Sequence, residues 1–313
     1  MRVVGVTEFG GPEALDVVEA PEQHAGPGEV RISVRAATVN PTDTFTRNGA
    51  RAEQLSQEPP PYVPGMDAAG VIDEIGEGVT GFATGDHVMA IVIPHGSHGA
   101  YADGLVVQAE SVTHVPAGTD DVAASTLPMN GLTARLALDR LDLSPGSTLA
   151  VTGAAGAFGG YAIQLAKADG LRVVADASEQ DTELVKQLGA DIVVPRGEDV
   201  ADRFREAVPE GVDGVADGAV LNERVVPAIR DGGGIATVRG FSTEAERGIT
   251  YHPVWIYHYR NEQAKLDRLR QQVEQGAVTL RVARTFPATQ ASDAHRVLED
   301  GGTRGRLVLE FPA

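Results

Sequence analysis

Cysteine is absent from this chain of 313 residues. Without thiols the protein cannot form disulfide bonds, iron–sulfur clusters or thiolate zinc sites, and it has no cysteine nucleophile. Basic residues are also few, since 26 Lys and Arg stand against 44 Asp and Glu, giving a formal net charge of -18. This excess of negative charge disfavours binding to nucleic-acid backbones and to anionic membrane surfaces.

Long apolar runs are missing as well. No stretch approaches the roughly 18 apolar residues of a membrane-spanning helix, and the start, MRVVGVTEFG, lacks the pattern of a signal peptide. What is present is a hydrophobic fraction of 42%, as in ordinary globular proteins, and a length that suggests about two domains. We therefore expect a cytoplasmic protein that has neither a membrane nor a nucleic acid as partner.

The first part of the chain has the pattern of short strands separated by glycine and proline turns. The predicted strands cover residues 2–7, 29–39, 69–75 and 87–93. Short runs at this spacing favour a small, irregular barrel over a parallel sheet.

From about residue 120 the pattern becomes a repeated cycle of strand, glycine turn, helix and strand. Strands are predicted at 147–151, 171–175, 191–194, 214–216 and 234–238, and helices at 120–139, 159–168, 179–188 and 222–229. This alternation predicts an α/β fold with a doubly wound parallel sheet over residues 120–262. The last helices, 263–273 and 291–299, and strands, 278–286 and 305–311, are predicted to rejoin the first domain, which then comprises residues 1–119 and 263–313.

The strongest motif is TLAVTGAAGAFGGYAIQLAK, residues 148–167, where an apolar strand enters a glycine-rich turn and an amphipathic helix leaves it. A dinucleotide-binding turn needs a small residue for the bend, a glycine near the pyrophosphate and a third small residue where helix packs on strand. Ala154, Gly156 and Gly159 occupy these positions, so alanine replaces the first glycine. The alternative is a turn with a purely structural role.

The pyrophosphate of a bound dinucleotide would lie at the helix N-terminus, beside Ala157 and Phe158, because free N–H groups and the helix dipole favour an anion. The residues that follow leave the coenzyme open. Asp176, near the end of the second strand, is placed to bind the adenine ribose and would favour NADH. Ser178 and Arg196 could instead bind the 2′-phosphate of NADPH.

Several segments together resemble the zinc-free medium-chain dehydrogenase/reductases of the quinone oxidoreductase type. They are VNPTDTFTRNG (39–49), PGMDAAGVIDEIGEGV (64–79), GLTA (131–134), the glycine-rich turn, LGAD (188–191), GVDGVADGAV (211–220) and the stretch 295–309. The resemblance covers nearly the whole chain. It implies a catalytic domain of the chaperonin-10 type beside a Rossmann domain, an active site between them, a homodimer, and NADPH or NADH as cofactor.

Departures from the zinc-dependent relatives indicate the chemistry. Where zinc alcohol dehydrogenases of this superfamily carry a His-Glu pair, this chain has Met66 and Asp67, and it has no cysteine ligands. Because these residues do not match the ligands that zinc prefers, we expect no bound metal. Alcohol oxidation is then disfavoured, and hydride transfer from a nicotinamide to an electron-poor small molecule remains. Phe45 stands where many relatives have tyrosine, so the proton is expected from water or another side chain.

The resemblance also assigns residues to the site. Asn40 and Thr133 are predicted to lie near the nicotinamide as catalytic residues, although Asn40 could simply cap a turn and Thr133 could lie within a helix. Gly240 and Phe241 are predicted to border the nicotinamide from the edge of the sheet. The candidates for an apolar substrate wall are Phe45, Met66, Tyr101, Trp255 and Tyr257. For each of the five, plain packing in the core is an equally good alternative, and Trp255 and Tyr257 could instead belong to a dimer interface.

Three functions stay open at this point. The first is reduction of a quinone with NAD(P)H. The second is reduction of an enone or enoyl group on the same scaffold, since no motif identifies the acceptor. The third is a nucleotide-binding sensor, which would keep the glycine-rich turn but show no acceptor-dependent oxidation of the coenzyme.

Overall fold

Short strands make up most of the first part of the chain, and strands alternate with helices in the middle. The computed structural model describes residues 1–55, 57–244 and 246–312. The strands are β1 (Arg2–Gly5), β2 (Asp16–Glu19), β3 (Glu29–Thr38), β4 (Asp67–Ile75), β5 (His87–Ile91), β6 (Gly104–Gln108), β7 (Val112–His114), β8 (Thr148–Thr152), β9 (Arg172–Ala177), β10 (Ile192–Pro195), β11 (Val212–Asp217), β12 (Ile229–Thr237), β13 (Thr250–Pro253), β14 (Val282–Pro287) and β15 (Arg306–Glu310).

The described residues also form α-helices and short 3-10 helices. The α-helices are α1 (Pro41–Arg47), α2 (Ala52–Leu55), α3 (Asp121–Ala124), α4 (Pro128–Leu141), α5 (Ala157–Ala168), α6 (Thr182–Gln187), α7 (Val200–Ala207), α8 (Gln263–Glu274) and α9 (Ala291–Asp300). Short 3-10 helices cover Pro12–Ala14, Ala109–Ser111, Glu179–Asp181, Asn222–Ala228, Ile256–Tyr259 and Ala288–Gln290. Within the described ranges, none of these helices has both the length and the apolar content needed to cross a membrane.

The chain divides into two compact units. The first contains residues 1–129, 260–274 and 280–313, and the second contains residues 130–259 and 275–279. The first boundary therefore falls ten residues later than the predicted 119/120. The reason is local, because α3 packs on β3, β4 and β5, and the backbone N–H of Met129 donates to Asp67 in β4 (2.6 Å).

The first unit is built on a mixed sheet with strand order β14-β15-β3-β4-β5-β7, and β6 also pairs with β3. All of these pairs are antiparallel except β14 with β15. Along β3 buried and partly exposed side chains alternate, with Val30, Ile32 and Val34 pointing into the core. This period of two is what a strand with one buried face requires.

The second unit is an all-parallel sheet with strand order β10-β9-β8-β11-β12-β13. The strand order reverses between β8 and β11, which is the doubly wound arrangement, with the ligand crevice expected outside the carboxyl ends of the strands. The predicted α/β class, with this sheet and a separate β-rich domain, is confirmed.

Two helices differ from the prediction. The single helix expected at 120–139 is two helices, α3 and α4, and the second begins at Pro128, whose fixed φ suits a first helical turn. The helix expected at 222–229 is a 3-10 helix containing Pro227, which has no N–H to donate within a regular helix.

Candidate functional site

The glycine-rich turn joins β8 to α5 at the carboxyl edge of the parallel sheet. Gly153 has a φ of 63°, a left-handed conformation that favours glycine, and its carbonyl accepts the N–H of Gly156 (2.9 Å). A Cβ atom placed on Gly159 would lie 2.4 Å from the Gly153 carbonyl oxygen and 2.7 Å from the Cα of Ala154. Gly159 is therefore the point of closest approach between helix and turn, the role predicted for the third small residue.

The N-terminus of α5 is the part of this turn that could hold an anion. The helix extends from Ala157 to Ala168, and its N-cap is Gly156 in an extended conformation. The N–H groups of the first helical turn have no carbonyl partner within the helix, and Ala157 and Phe158 are only half-buried. A short turn with no side chain at Gly156, followed by free N–H groups, fits a pyrophosphate.

Asp176 contacts the glycine-rich turn from the neighbouring strand β9. Its Oδ1 accepts the backbone N–H of Ala154 (3.2 Å), and the side chain is buried. Burial raises the pKa of Asp176, while the N–H groups of Ala154 and Gly153 and the positive charge of Arg196 oppose that rise. The carboxylate thus binds the turn itself, and its contact with the adenine ribose stays a prediction.

Ser178 and Arg196 lie close to the same edge. The hydroxyl of Ser178 donates to Asp181 (2.5 Å), so it is already engaged by its own turn. Arg196 is exposed, and its backbone N–H donates to the carbonyl of Ala177 (2.9 Å), which places the residue directly after β10 and beside the end of β9. An exposed guanidinium here can bind the 2′-phosphate of NADPH by donating hydrogen bonds to it.

Asp217, at the carboxyl end of β11, was not singled out by sequence reasoning. It is fully buried and its Oδ1 accepts the hydroxyl of Thr152 (2.6 Å) and the N–H of Leu221 (3.0 Å), while Oδ2 accepts the N–H of Asn222 (2.8 Å). These bonds fix the loop after β11, in which Val220 has a φ of 57°. The strand pattern ADG after an apolar run was the available signal.

Gly240, Phe241 and Trp255 lie beyond β12. Gly240 has a φ of 74°, and a Cβ placed there would come within 2.2 Å of the Trp255 ring, so the indole lies over the glycine backbone. The carbonyl of Phe241 accepts the hydroxyl of Thr237 (2.8 Å), and its ring meets Tyr251 edge-on. Trp255 is 52% exposed, so its other side remains open.

A buried polar cluster lies at the end of β3 in the first unit. Arg306 and Asp67 form an ion pair (3.1 Å) whose side chains are 4% and 0% exposed. Asp67 Oδ2 also accepts Thr38 Oγ1 (2.7 Å) and Asn40 Nδ2 (2.9 Å). Arg306 Nη2 donates in turn to Thr38 Oγ1 (2.8 Å) and Asn40 Oδ1 (2.6 Å).

This cluster changes the interpretation of Asn40. Both ends of its amide are bound within the cluster and the side chain has no exposed surface, so the predicted direct contact with a nicotinamide or substrate oxygen does not fit it as it stands here. Arg306, which sequence reasoning missed, has one buried nitrogen, Nη1, with no hydrogen-bond partner in the described part of the chain. A lone arginine in the final apolar strand was the signal that could have found it.

Tyr101 lies in the core, which was the alternative to a place in the substrate wall. The side chain is fully buried, and its hydroxyl lies 3.1 Å from Asp43 Oδ2 and 3.2 Å from His295 Nε2. Since no part of the ring is exposed, Tyr101 is a core residue. Burial raises the pKa of its hydroxyl well above the ordinary value, and the neighbouring Asp43 raises it further.

The positions of the remaining predicted residues do not by themselves test a contact with coenzyme or substrate. Thr133 is buried in α4, Phe45 is half-buried in α1, and Tyr257 is exposed. Met66 is buried, and its Sδ accepts the hydroxyl of Thr42 (3.1 Å). Met66 is thus bound by Thr42 and Asp67 by Arg306, so both side chains have partners within the fold. Across the described ranges, no group of three or more His, Cys, Asp or Glu side chains could hold a metal ion.

Comparison with known proteins connects this geometry to a family. The alcohol dehydrogenase GroES-like domain matches residues 26–117, and the zinc-binding dehydrogenase domain matches residues 188–309. The quinone oxidoreductase of Rattus norvegicus is 30% identical over 332 residues, covering 99% of this chain and 97% of that protein. The chain belongs to the medium-chain dehydrogenase/reductase family.

Other relatives place this medium-chain dehydrogenase/reductase with the quinone oxidoreductase type. The 2-haloacrylate reductase of Burkholderia sp is 30% identical over 325 residues, covering 96% of each chain. A mycobacterial protein solved in complex with NADPH superimposes with a TM-score of 0.86 at 27% identity, covering 99% of this chain and 100% of that one. The resemblance drawn from the sequence motifs is thus confirmed for the family and its two domains.

Proposed function

We propose that this protein is an NAD(P)H-dependent reductase that transfers hydride to a quinone or another electron-poor small molecule without the help of zinc. The observation that carries the proposal is the glycine-rich turn at the switch point of the parallel sheet. Gly159 lets α5 pack closely on the turn, Gly156 places no side chain there, and α5 presents its N-terminus to a pyrophosphate. When bound, the nicotinamide supplies the hydride.

NADPH is the coenzyme that the local charges favour. The carboxylate expected to repel a 2′-phosphate, Asp176, faces the turn and is bound by Ala154. Arg196 is exposed at the same edge and can pair with a phosphate. The mycobacterial relative solved with NADPH supports the same preference.

The acceptor is expected to be one that needs little acid catalysis. In a quinone the negative charge that follows hydride transfer is delocalised over the ring. Such an acceptor does not depend on a Lewis acid, and the positions of Met66 and Asp67 offer none. We retain Thr133, Phe45 and Trp255 as proposed contacts of the nicotinamide or of the acceptor.

Reduction of an activated alkene is the second candidate function. The specific observation in its favour is the relationship to a 2-haloacrylate reductase, which is as similar in identity as the rat quinone oxidoreductase. Quinones and activated alkenes both accept hydride at an electron-poor carbon. The choice between them depends on the shape of the acceptor pocket rather than on a different set of catalytic groups.

The proposal includes a homodimer in the cytoplasm. Strand β13 lies at the edge of the parallel sheet, and the segment that follows carries two exposed aromatic residues, Trp255 and Tyr257. An unpaired strand edge next to exposed aromatics is a surface that proteins commonly cover by association. Light scattering of the purified protein should give twice the mass of one chain.

The test of the function is oxidation of the reduced coenzyme, followed by its absorbance, with chelator-treated protein. NADPH and NADH are offered separately against 1,4-benzoquinone and a simple enone. Rapid oxidation that needs an acceptor and survives chelation supports a zinc-independent reductase, and the faster acceptor selects between the two candidate functions. If the coenzyme binds but is not oxidised by either acceptor, the result would favour a nucleotide-binding sensor. Loss of activity on chelation would refute the proposal that the reductase works without zinc.

A further inference from the structure

The first unit contains a chain of buried polar side chains that leads from its surface to the loop before α1. It begins at Glu299 in α9, which is 41% exposed and binds the guanidinium of Arg47 through both oxygens (2.5 and 3.3 Å). It continues from Arg47 to His295, from His295 to Tyr101 and from Tyr101 to Asp43, with distances of 3.2, 3.2 and 3.1 Å. The four inner side chains are all buried.

The direction of these hydrogen bonds follows from the groups themselves. A guanidinium can only donate, so Nδ1 of His295 must accept from Arg47. The proton of the neutral imidazole then lies on Nε2 and is donated to the Tyr101 oxygen, which leaves the tyrosine hydroxyl to donate to Asp43. Burial and, to a smaller extent, the charge of Arg47 lower the pKa of His295 to about 3, so the imidazole is neutral.

Asp43 receives this chain and joins two loops. Its Oδ2 accepts the backbone N–H of Asn40 (2.8 Å) as well as the Tyr101 hydroxyl, and its Oδ1 accepts the N–H of Gly65 (3.1 Å). The Asn40 loop and the Gly65 loop lead into the polar cluster around Asp67. A side chain that ties both loops together therefore controls how that cluster is arranged.

We propose that Tyr101 and His295 are positioning residues of the reductase: with Arg47 they form a hydrogen-bond chain of fixed direction that supplies one donor to the Asp43 carboxylate and so helps to hold the Asn40 loop on Gly65. This proposal rests on the proposed function. A protonated Asp43 would accept fewer hydrogen bonds. One of its oxygens would then carry a hydrogen of its own, which would point at the N–H or O–H groups that now donate to it. The hydrogen bonds that tie the two loops together would then be weakened.

The electrostatics around Asp43 make its ionisation sensitive to the chain. The pKa of Asp43 is raised to about 7, because burial, together with the charge of Asp67, raises it more than the N–H groups of Asn40 and Gly65 and the Tyr101 hydroxyl lower it. Near the hydroxyl of Tyr101, the charge of Asp67 raises the pKa of the tyrosine and the charge of Arg306 lowers it. Removing the hydroxyl removes one of three donors to the carboxylate.

The experiment measures kcat/KM for NADPH-driven quinone reduction as a function of pH. Activity should fall as pH decreases through about 7 in the wild type. Tyr101→Phe should move this midpoint upward by about one pH unit, the effect of one lost donor to a carboxylate. His295→Leu should move it in the same direction, whereas His295→Gln, whose amide can accept from Arg47 and donate to Tyr101, should stay near the wild type. Arg296→Gln is the control, since this exposed neighbour pairs with Asp293 and lies outside the hydrogen-bond chain.

A second readout needs no turnover. The infrared band of a protonated carboxyl group, identified by its loss in Asp43→Asn, is titrated in each variant. Midpoints that shift together in both measurements support the proposal. Variants that lose activity equally at every pH, or a carboxyl midpoint that does not move, would overturn it and leave the chain a structural role alone. A wild type without any acceptor-dependent oxidation would overturn the proposed function, and the infrared titration would still decide whether the chain controls Asp43.

Discussion

Gly159→Ala is the substitution that tests the glycine-rich turn most directly. The added Cβ would lie 2.4 Å from the carbonyl oxygen of Gly153, so the turn must retreat by at least 0.6 Å to restore the 3.0 Å that real Cβ contacts keep. That carbonyl also accepts the N–H of Gly156, so its displacement distorts the bend itself. Overpacking of this kind costs about 1–3 kcal/mol, of which the better helix propensity of alanine offsets about 1 kcal/mol.

The expected result is a modest loss of stability and a larger loss of coenzyme binding. We expect the free energy of unfolding to fall by about 1 kcal/mol and the Kd for NADPH to rise at least about tenfold, because a pyrophosphate site depends on exact backbone placement. Urea unfolding and calorimetric titration measure the two quantities. Gly104→Ala is a matched control, since the nearest atom to a Cβ there is 3.9 Å away and the residue lies in β6 of the other unit.

An unchanged NADPH affinity in a folded Gly159→Ala protein would refute the reasoning. It would mean that the turn tolerates a side chain at its tightest point, and that the pyrophosphate does not rest on it. A similar loss of affinity in Gly104→Ala would be equally damaging, because it would show a general loss of structure rather than a local effect.

Three further predictions concern charged side chains. Arg196→Gln should weaken NADPH binding about tenfold and leave NADH binding unchanged, since one charge-assisted contact to a phosphate is lost; an equal change for both coenzymes would contradict this. Arg306→Met should lower the free energy of unfolding by about 3–5 kcal/mol because it leaves the Asp67 carboxylate buried without its ion pair, and adding Asp67→Asn should recover part of the loss. For Asp43 the folded carboxyl keeps its proton up to about pH 7 although the ordinary value is 3.8, so its contribution to stability is full below pH 3.8 and lost as pH rises to 7. Asp43→Asn should remove that slope from the unfolding free energy measured by urea titration, and an unchanged slope would contradict the raised pKa.

The sequence was most informative where backbone geometry alone sets the requirement. The spacing of Ala154, Gly156 and Gly159 after an apolar strand indicated the tight glycine-rich turn, because a Cβ at Gly159 would lie only 2.4 Å from the carbonyl oxygen of Gly153. The alternation of strands and helices predicted the doubly wound sheet. Each type of element has its own spacing of hydrophobic residues, so the order of the elements can be read from the sequence. The helix boundaries were less certain where proline intervened, at Pro128 and Pro227.

The side-chain partners could not be predicted in this way. Asn40, Tyr101 and Asp176 were chosen by motif position as ligand contacts, yet each is bound inside the fold, to Arg306, His295 and Ala154 in turn. Those partners are far away in sequence: Arg306 is 266 residues from Asn40, and His295 is 194 residues from Tyr101. A linear pattern carries no information on which distant polar groups share a buried space.

By itself, then, the sequence indicated the family through the resemblance of its motifs, and it predicted the α/β class and the glycine-rich turn through local conformation and the period of hydrophobic residues. Only the tertiary structure decided which polar groups are shielded from solvent and which hydrogen bonds satisfy them. Burial makes an unpaired polar group costly, so each buried carboxylate takes its donors from whatever strand or helix packs beside it. That is why Asp43 and Asp67, ordinary acidic residues in the sequence, become the centres on which the loops of the first unit are fixed.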